Sequence, residues 1–115
     1  MIGLPSAVQI FVATAPANLR MSFNGLTGLV RDHLGYEPHS GHLFCFRNRV
    51  GDMVKVLYWD RTGQVLWCKR LARGTFRFPE AAGSSAEISS ADLMLILEGI
   101  DLAGAHRRKR YTKAA

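Results

Sequence analysis

Cysteine is scarce, with two in 115 residues, so no disulfide framework can carry this fold. Long hydrophobic runs are missing too. The longest, Leu93 to Leu97, falls far short of the ~18 residues that a membrane helix needs, and no membrane association is expected. Glycine-rich phosphate loops and nucleophile elbows are absent, and Ser84-Ser85 reads as loop. Acid is short as well: nine Asp or Glu face fifteen Lys or Arg, for a net charge of +6. That imbalance favours polyanionic partners over basic ones.

What remains is ordinary globular material, 48% apolar and 21% charged. The length suits one domain with its own modest core and excludes a separate cofactor domain. The charge is unevenly spread along the chain. Residues 1–46 balance to zero, with Arg20 and Arg31 against Asp32 and Glu37. Residues 47–77 carry Arg47, Arg49, Lys55, Arg61, Lys69, Arg70, Arg73 and Arg77 against Asp52 and Asp60, a balance of +6. Residues 78–105 carry only Glu80, Glu87, Asp92, Glu98 and Asp101, and residues 106–115 carry Arg107, Arg108, Lys109, Arg110 and Lys113 without an acid. Two cationic regions flank an acidic one. Nucleic acid is the first partner this pattern suggests.

The uncharged start, Met1 to Asn18, lacks the basic n-region of a leader, and its apolar stretch is short. Cytoplasmic location and reduced cysteines are therefore expected. Val8 to Ala13 is β-branched and aromatic between Pro5 and Pro16, and reads as a strand. Asn18 then reads as the N-cap of a helix that carries Leu19, Phe23, Leu26, Val30 and His33 or Leu34 on one face and stops at Gly35. Gly25 and Gly28 either weaken that helix or mark close approach of another element.

His42 to Arg47, Met53 to Trp59 and Val65 to Leu71 read as a three-stranded antiparallel meander. Its turns, Asn48-Arg49-Val50-Gly51 and Asp60-Arg61-Thr62-Gly63, share turn chemistry with Asn or Asp first and Gly last. An irregular crossing follows. Ser89 or Ser90 then caps a helix with Leu93, Ile96, Leu97 and Ile100 on one face, and Gly104 ends the domain. The expected class is α+β: one domain over 1–104 and a basic, disordered tail over 105–115.

If both turns are three-residue loops, Asn48 pairs with Asp52 and Asp60 with Gln64. One sheet face then carries Phe44, Phe46, Val54, Val56, Tyr58, Leu66 and Cys68 as core. The other carries Leu43, Cys45, Leu57, Trp59, Val65 and Trp67, then Arg47, Lys55 and Lys69, with Lys55 directly opposite Lys69. Opposed like charges destabilise a strand pair unless an anion covers them. Beside tryptophans they could bind a phosphate backbone and stack on bases, although two tryptophans in so small a chain are expected beneath a helix.

No catalytic set assembles from these residues. Asp52 and Asp60 fall at opposite ends of one strand, about 26 Å apart at ~3.3 Å per residue. His39 and His42 make a short His-x-x-His, but His42 and Cys45 point to opposite faces, which spoils a zinc site. Neither a metal, a cofactor nor a small-molecule substrate is expected.

Several segments together carry a resemblance: Met1-Ile2-Gly3-Leu4-Pro5, Ala13-Thr14-Ala15-Pro16-Ala17-Asn18-Leu19-Arg20-Met21 and Gly25-Leu26. Ser40-Gly41-His42-Leu43-Phe44, Phe46-Arg47-Asn48-Arg49, Gly51-Asp52 and Tyr58-Trp59-Asp60 continue it. Lys69-Arg70-Leu71, Arg73-Gly74 and Leu97-Glu98-Gly99-Ile100-Asp101 complete it. Over residues 1–110 the chain resembles the TnpB accessory proteins from the second reading frame of insertion sequences of the sixty-six family, not the RNA-guided nuclease that shares the name. Asn18 stands where that family often has Asp, and Cys45 and Cys68 where other small or aromatic residues are common. The resemblance implies a bacterial protein encoded beside a separate DDE transposase and needed for efficient transposition. It supplies no catalytic residues. DNA at the element's ends is the expected partner, through Arg47, Arg49, Lys55, Arg61, Lys69, Arg70, Arg73, Arg107, Arg108, Lys109 and Arg110. The alternative partner is the transposase itself, met through Glu98 and Asp101.

Overall fold

Alternation along the strands buries both faces of one sheet. The computed structural model describes residues 7–101 and 106–107. Its elements are β1 (Ile10–Ala13), α1 (Phe23–Leu29) running into a π-helical segment (Val30–Leu34), β2 (Leu43–Arg47), β3 (Met53–Trp59) and β4 (Gln64–Arg70). Then come β5 (Ser85–Ile88), α2 (Ser90–Leu97), β6 (Ile100–Asp101) and β7 (His106–Arg107). Five strands form one sheet in the order β4-β3-β2-β1-β5, with β1 parallel to β2 and every other pair antiparallel. β6 and β7 pair separately. The fold is α+β in a single small domain, and the meander is its β2-β3-β4 half. The rest of the expected tail, residues 105 and 108–115, and the expected stop at Gly104 lie outside the described residues.

On one side, Phe11, Phe44, Phe46 and Leu57 pack with Leu19, Leu26 and Val30 of the α1 region. On the other, Ile10, Val12, Leu43, Cys45, Val54 and Val56 pack with Phe76 and with Leu93, Ile96 and Leu97 of α2. Burial of these side chains at ~25 cal/mol per Å² is what holds the two helices to the sheet. Ser89 is the residue that caps α2, its Oγ accepting from Asp92 N at 3.0 Å.

The first helix starts later than its apolar spacing suggests. Asn18 makes an Asx turn instead, its Oδ1 accepting from Arg20 N at 3.0 Å, and Ser22 occupies the N-cap. Phe23 is consequently 40% exposed rather than core. Neither helix glycine marks close approach of another element: a Cβ at Gly25 would meet Met21 Cβ, four residues earlier in the chain, at 2.9 Å, and one at Gly28 would meet nothing within 4 Å. Gly35 ends the helical segment at φ 76°, as expected.

Both meander turns differ from three-residue loops, and each difference moves the register by one residue. Asn48 N–H bonds Met53 C=O at 3.2 Å, so the first loop has four residues, Arg49 to Asp52. Asp60 N–H bonds Gly63 C=O at 3.0 Å, leaving a two-residue loop whose first member, Arg61, has φ 88°. A one-residue slip turns a strand over relative to its partner. Phe44 and Phe46 therefore face α1, while Val54, Val56 and Tyr58 face α2. Trp67 packs on the α2 side, whereas Trp59 stacks on His39 with centroids 4.4 Å apart. Lys55 pairs with Cys68 and Lys69 with Val54, so the two lysines are not opposed. They point to opposite faces of the sheet.

β5 has no counterpart in the expected irregular crossing. Ser-Ala-Glu-Ile is short and mixed, and it becomes a strand because β1 offers it an open edge, with Ile10 opposite Ile88.

Candidate nucleic-acid interface

The topology sorts the cations. The C-terminal ends of β1, β2 and β4 and the N-terminal ends of β3 and β5 share one end of the sheet. Arg47 closes β2 there, Arg49 sits in the β2–β3 loop, Arg70 closes β4, and Arg73 follows in the next loop. Arg61 lies in the β3–β4 turn at the opposite end.

Two further arginines join this end. Arg77 lines a groove of about 460 Å³ with Thr14, Arg47 and Phe78. Arg20 follows Asn18 and Leu19, which line a second groove with Asn48, Arg49 and Val50. Neither was among the sequence candidates, because Arg20 lies in a charge-neutral stretch and Arg77 beyond the last expected strand. Asp52, at the same end, is occupied locally: its Oδ1 accepts from Asn48 Nδ2 at 2.7 Å.

Within this set, Arg47 is the anchored member. Its Nη1 donates to Thr14 O at 3.0 Å, and the guanidinium sits 5.4 Å from the Phe78 ring centroid. Arg20, Arg49, Arg70, Arg73 and Arg77 are exposed.

The two lysines serve the scaffold. Lys55 Nζ donates to Met21 O at 3.0 Å and Lys69 Nζ to Leu97 O at 2.8 Å. Each half-buried ammonium binds the backbone of the layer above its own sheet face, and Lys69 meets the last turn of α2, where a cation complements the helix dipole.

Other chemistry is sparse. Burial pushes the Cys45 thiol up to about 12, so it stays protonated and unreactive at neutral pH. Cys68 is exposed and lies on the other side of the sheet, and both cysteines are free. His42 Nδ1 accepts from Gln9 N at 2.9 Å, which takes up one of its two ring nitrogens. Among the described residues no group of three or more His, Cys, Asp or Glu is placed to hold a metal ion. No helix among them is long and apolar enough to cross a membrane. Of the acidic pair, Glu98 follows α2 directly; Asp101 lies in β6. Arg107 lies in β7, and Arg108, Lys109 and Arg110 lie outside the described residues.

Residues 8–107 match the sequence model of the IS66 Orf2-like proteins. The chain belongs to that family. Its members are accessory proteins of transposition, not a catalytic family. The uncharacterized protein y4jC of Sinorhizobium fredii is 36% identical over 117 residues, covering the whole of both chains. A second uncharacterized protein of that organism, y4hO, is 39% identical over 112 residues, or 96% of this chain and 97% of its own. No solved structure matches this chain significantly.

Proposed function

We propose that this protein assists transposition without catalysing it, by binding duplex DNA at the element's ends in the cytoplasm. The binding surface is the arginine-bearing end of the sheet, supplemented by Arg107, Arg108, Lys109 and Arg110 as contacts to phosphate. One observation supports this reading above the rest. Arg20, Arg47, Arg49, Arg70, Arg73 and Arg77 are distant in sequence yet collect at one end of a rigid sheet. Planar guanidinium groups suit phosphate oxygens, and a fixed array orients the protein on a duplex. Lys55, Lys69 and Arg61 are outside this surface.

The test is a mobility shift with duplexes of the element's terminal repeats, with and without its purified transposase. Direct binding that weakens with salt, by ~0.9 in log–log slope per phosphate contacted, is the expected result. Binding only when transposase is present favours a second reading, in which the protein docks on that enzyme. What supports that second reading is α2, which exposes Met94 and Leu95 just before Glu98. In that case Glu98→Lys with Asp101→Lys reduces co-purification with the transposase.

A further inference from the structure

We propose that the β2–β3 turn is the base-reading element of this interface, entering the major groove with Arg49 on a guanine edge and Val50 on a thymine methyl. The inference rests on the DNA-binding reading above and adds to it which residues distinguish one sequence from another.

Val50 is the starting observation. At 73% it is the most exposed large apolar side chain among the described residues, ahead of Met94 at 52% and Phe23 at 40%. It stands at the tip of a turn beside Arg49, which is exposed and makes no hydrogen bond or ion pair among the described residues. The turn beneath them is braced from within. Asn48 Oδ1 accepts from Gly51 N at 2.9 Å and from Met53 N at 3.1 Å, while Asn48 Nδ2 donates to Asp52. It is also braced from behind, since Phe76 N donates to Gly51 O and Leu71 N to Asp52 O, both at 2.8 Å. Gly51 holds φ 87°, and a Cβ there would lie 3.3 Å from Thr75. A tip held this firmly loses little entropy on binding, which is what an element that reads bases requires.

Groove width selects the site. Two strands ~4.8 Å apart, with their side chains, are too wide for the ~6 Å minor groove and fit the ~12 Å major groove. There an arginine pairs with guanine O6 and N7, and a small apolar side chain packs on the thymine methyl. The neighbouring arginines flank the turn and meet phosphates on either side. Arg47, tied to Thr14 O, is poorly free to reach a base.

The test measures affinity by fluorescence anisotropy for three duplexes: the element's terminal repeat, a scrambled sequence, and the repeat with uracil in place of thymine. Wild type, Arg49→Ala, Val50→Ala and Arg70→Ala are compared, with circular dichroism melts to verify folding. Both tip residues are exposed, so these variants fold. Wild type prefers the repeat, and Arg49→Ala lowers that preference about tenfold or more. Uracil weakens wild type, and weakens Val50→Ala less. Arg70→Ala weakens repeat and scrambled duplex alike. If Arg49→Ala and Val50→Ala keep the full preference, the inference is overturned. Wild type binding repeat and scrambled duplex equally also overturns it, while leaving DNA binding in place. Wild type binding neither duplex overturns both readings.

Discussion

Replacing Lys69 by Met separates a scaffold role from a DNA contact. Methionine keeps most of the aliphatic stem and removes the ammonium that donates to Leu97 O at 2.8 Å. A hydrogen bond from a charged donor contributes ~1.5–3 kcal/mol net, and a cation at a helix C-terminus ~0.3–1 kcal/mol. Lys69 is only half-buried and the freed carbonyl can recruit water, so the low end applies. A loss of about 1.5 kcal/mol results. At ~4–8 °C per kcal/mol for a domain of this size, Tm falls by about 6–12 °C. The log–log salt slope of DNA binding, measured well below Tm, stays at the wild-type value, because no phosphate contact has gone. Circular dichroism melting and a salt titration give both numbers. A Tm within ~2 °C of wild type, together with a slope lower by ~0.9, would refute the reasoning and return Lys69 to the DNA surface.

Three further outcomes follow from the same packing. Phe46→Ala, at a side chain 1% exposed, costs ~3–5 kcal/mol in urea unfolding and leaves little or no folded protein at 37 °C. Cys45 keeps its proton in the folded state up to about 12, while the unfolded thiol loses it near 9.0. Its contribution is thus fully present below pH 9 and declines as pH rises towards 12, by up to ~1.4 kcal/mol per unit. Cys45→Ala removes that part of the alkaline destabilisation in pH-dependent melts, and at pH 8 a thiol reagent labels Cys68 alone until denaturant is added. Gly35→Ala meets no neighbour within 4 Å but must hold φ 76°, so calorimetry shows a loss of ~1–2 kcal/mol from backbone strain alone.

Element types were legible where local chemistry decides them. Short runs rich in β-branched or aromatic residues gave β1 to β4, Gly35 stopped the first helical segment, and Ser89 capped α2. Facing was not legible, and the reason is physical. β2 is buried on both sides, so its side chains offer no polar alternation to say which residue meets which helix. Register then depended on turn length alone. Asn48 spends its side chain on Gly51 and Met53, opening a four-residue loop, and Arg61 adopts a left-handed conformation that favours glycine. Nothing in a single sequence announces an arginine there. The basic centre of the chain was visible as a count, but its sorting into scaffold lysines and an arginine end required the register. Arg20 and Arg77 required the tertiary contacts.

The position of β1 has a consequence for how the chain is made. It leaves the ribosome well before β5, yet it lies inside the sheet, and Ile10 finds its outer neighbour at Ile88. At ~5–20 residues per second that partner arrives several seconds later. The β2-β3-β4 meander, built from local contacts, can close early, whereas β1 must wait for a pairing of high sequence separation. Through that interval the apolar edge Ile10–Ala13 lacks its β5 ladder and is a template for strands of neighbouring nascent chains. Ribosome pausing before β5 has emerged therefore raises aggregation of this protein, and pausing after its emergence does not.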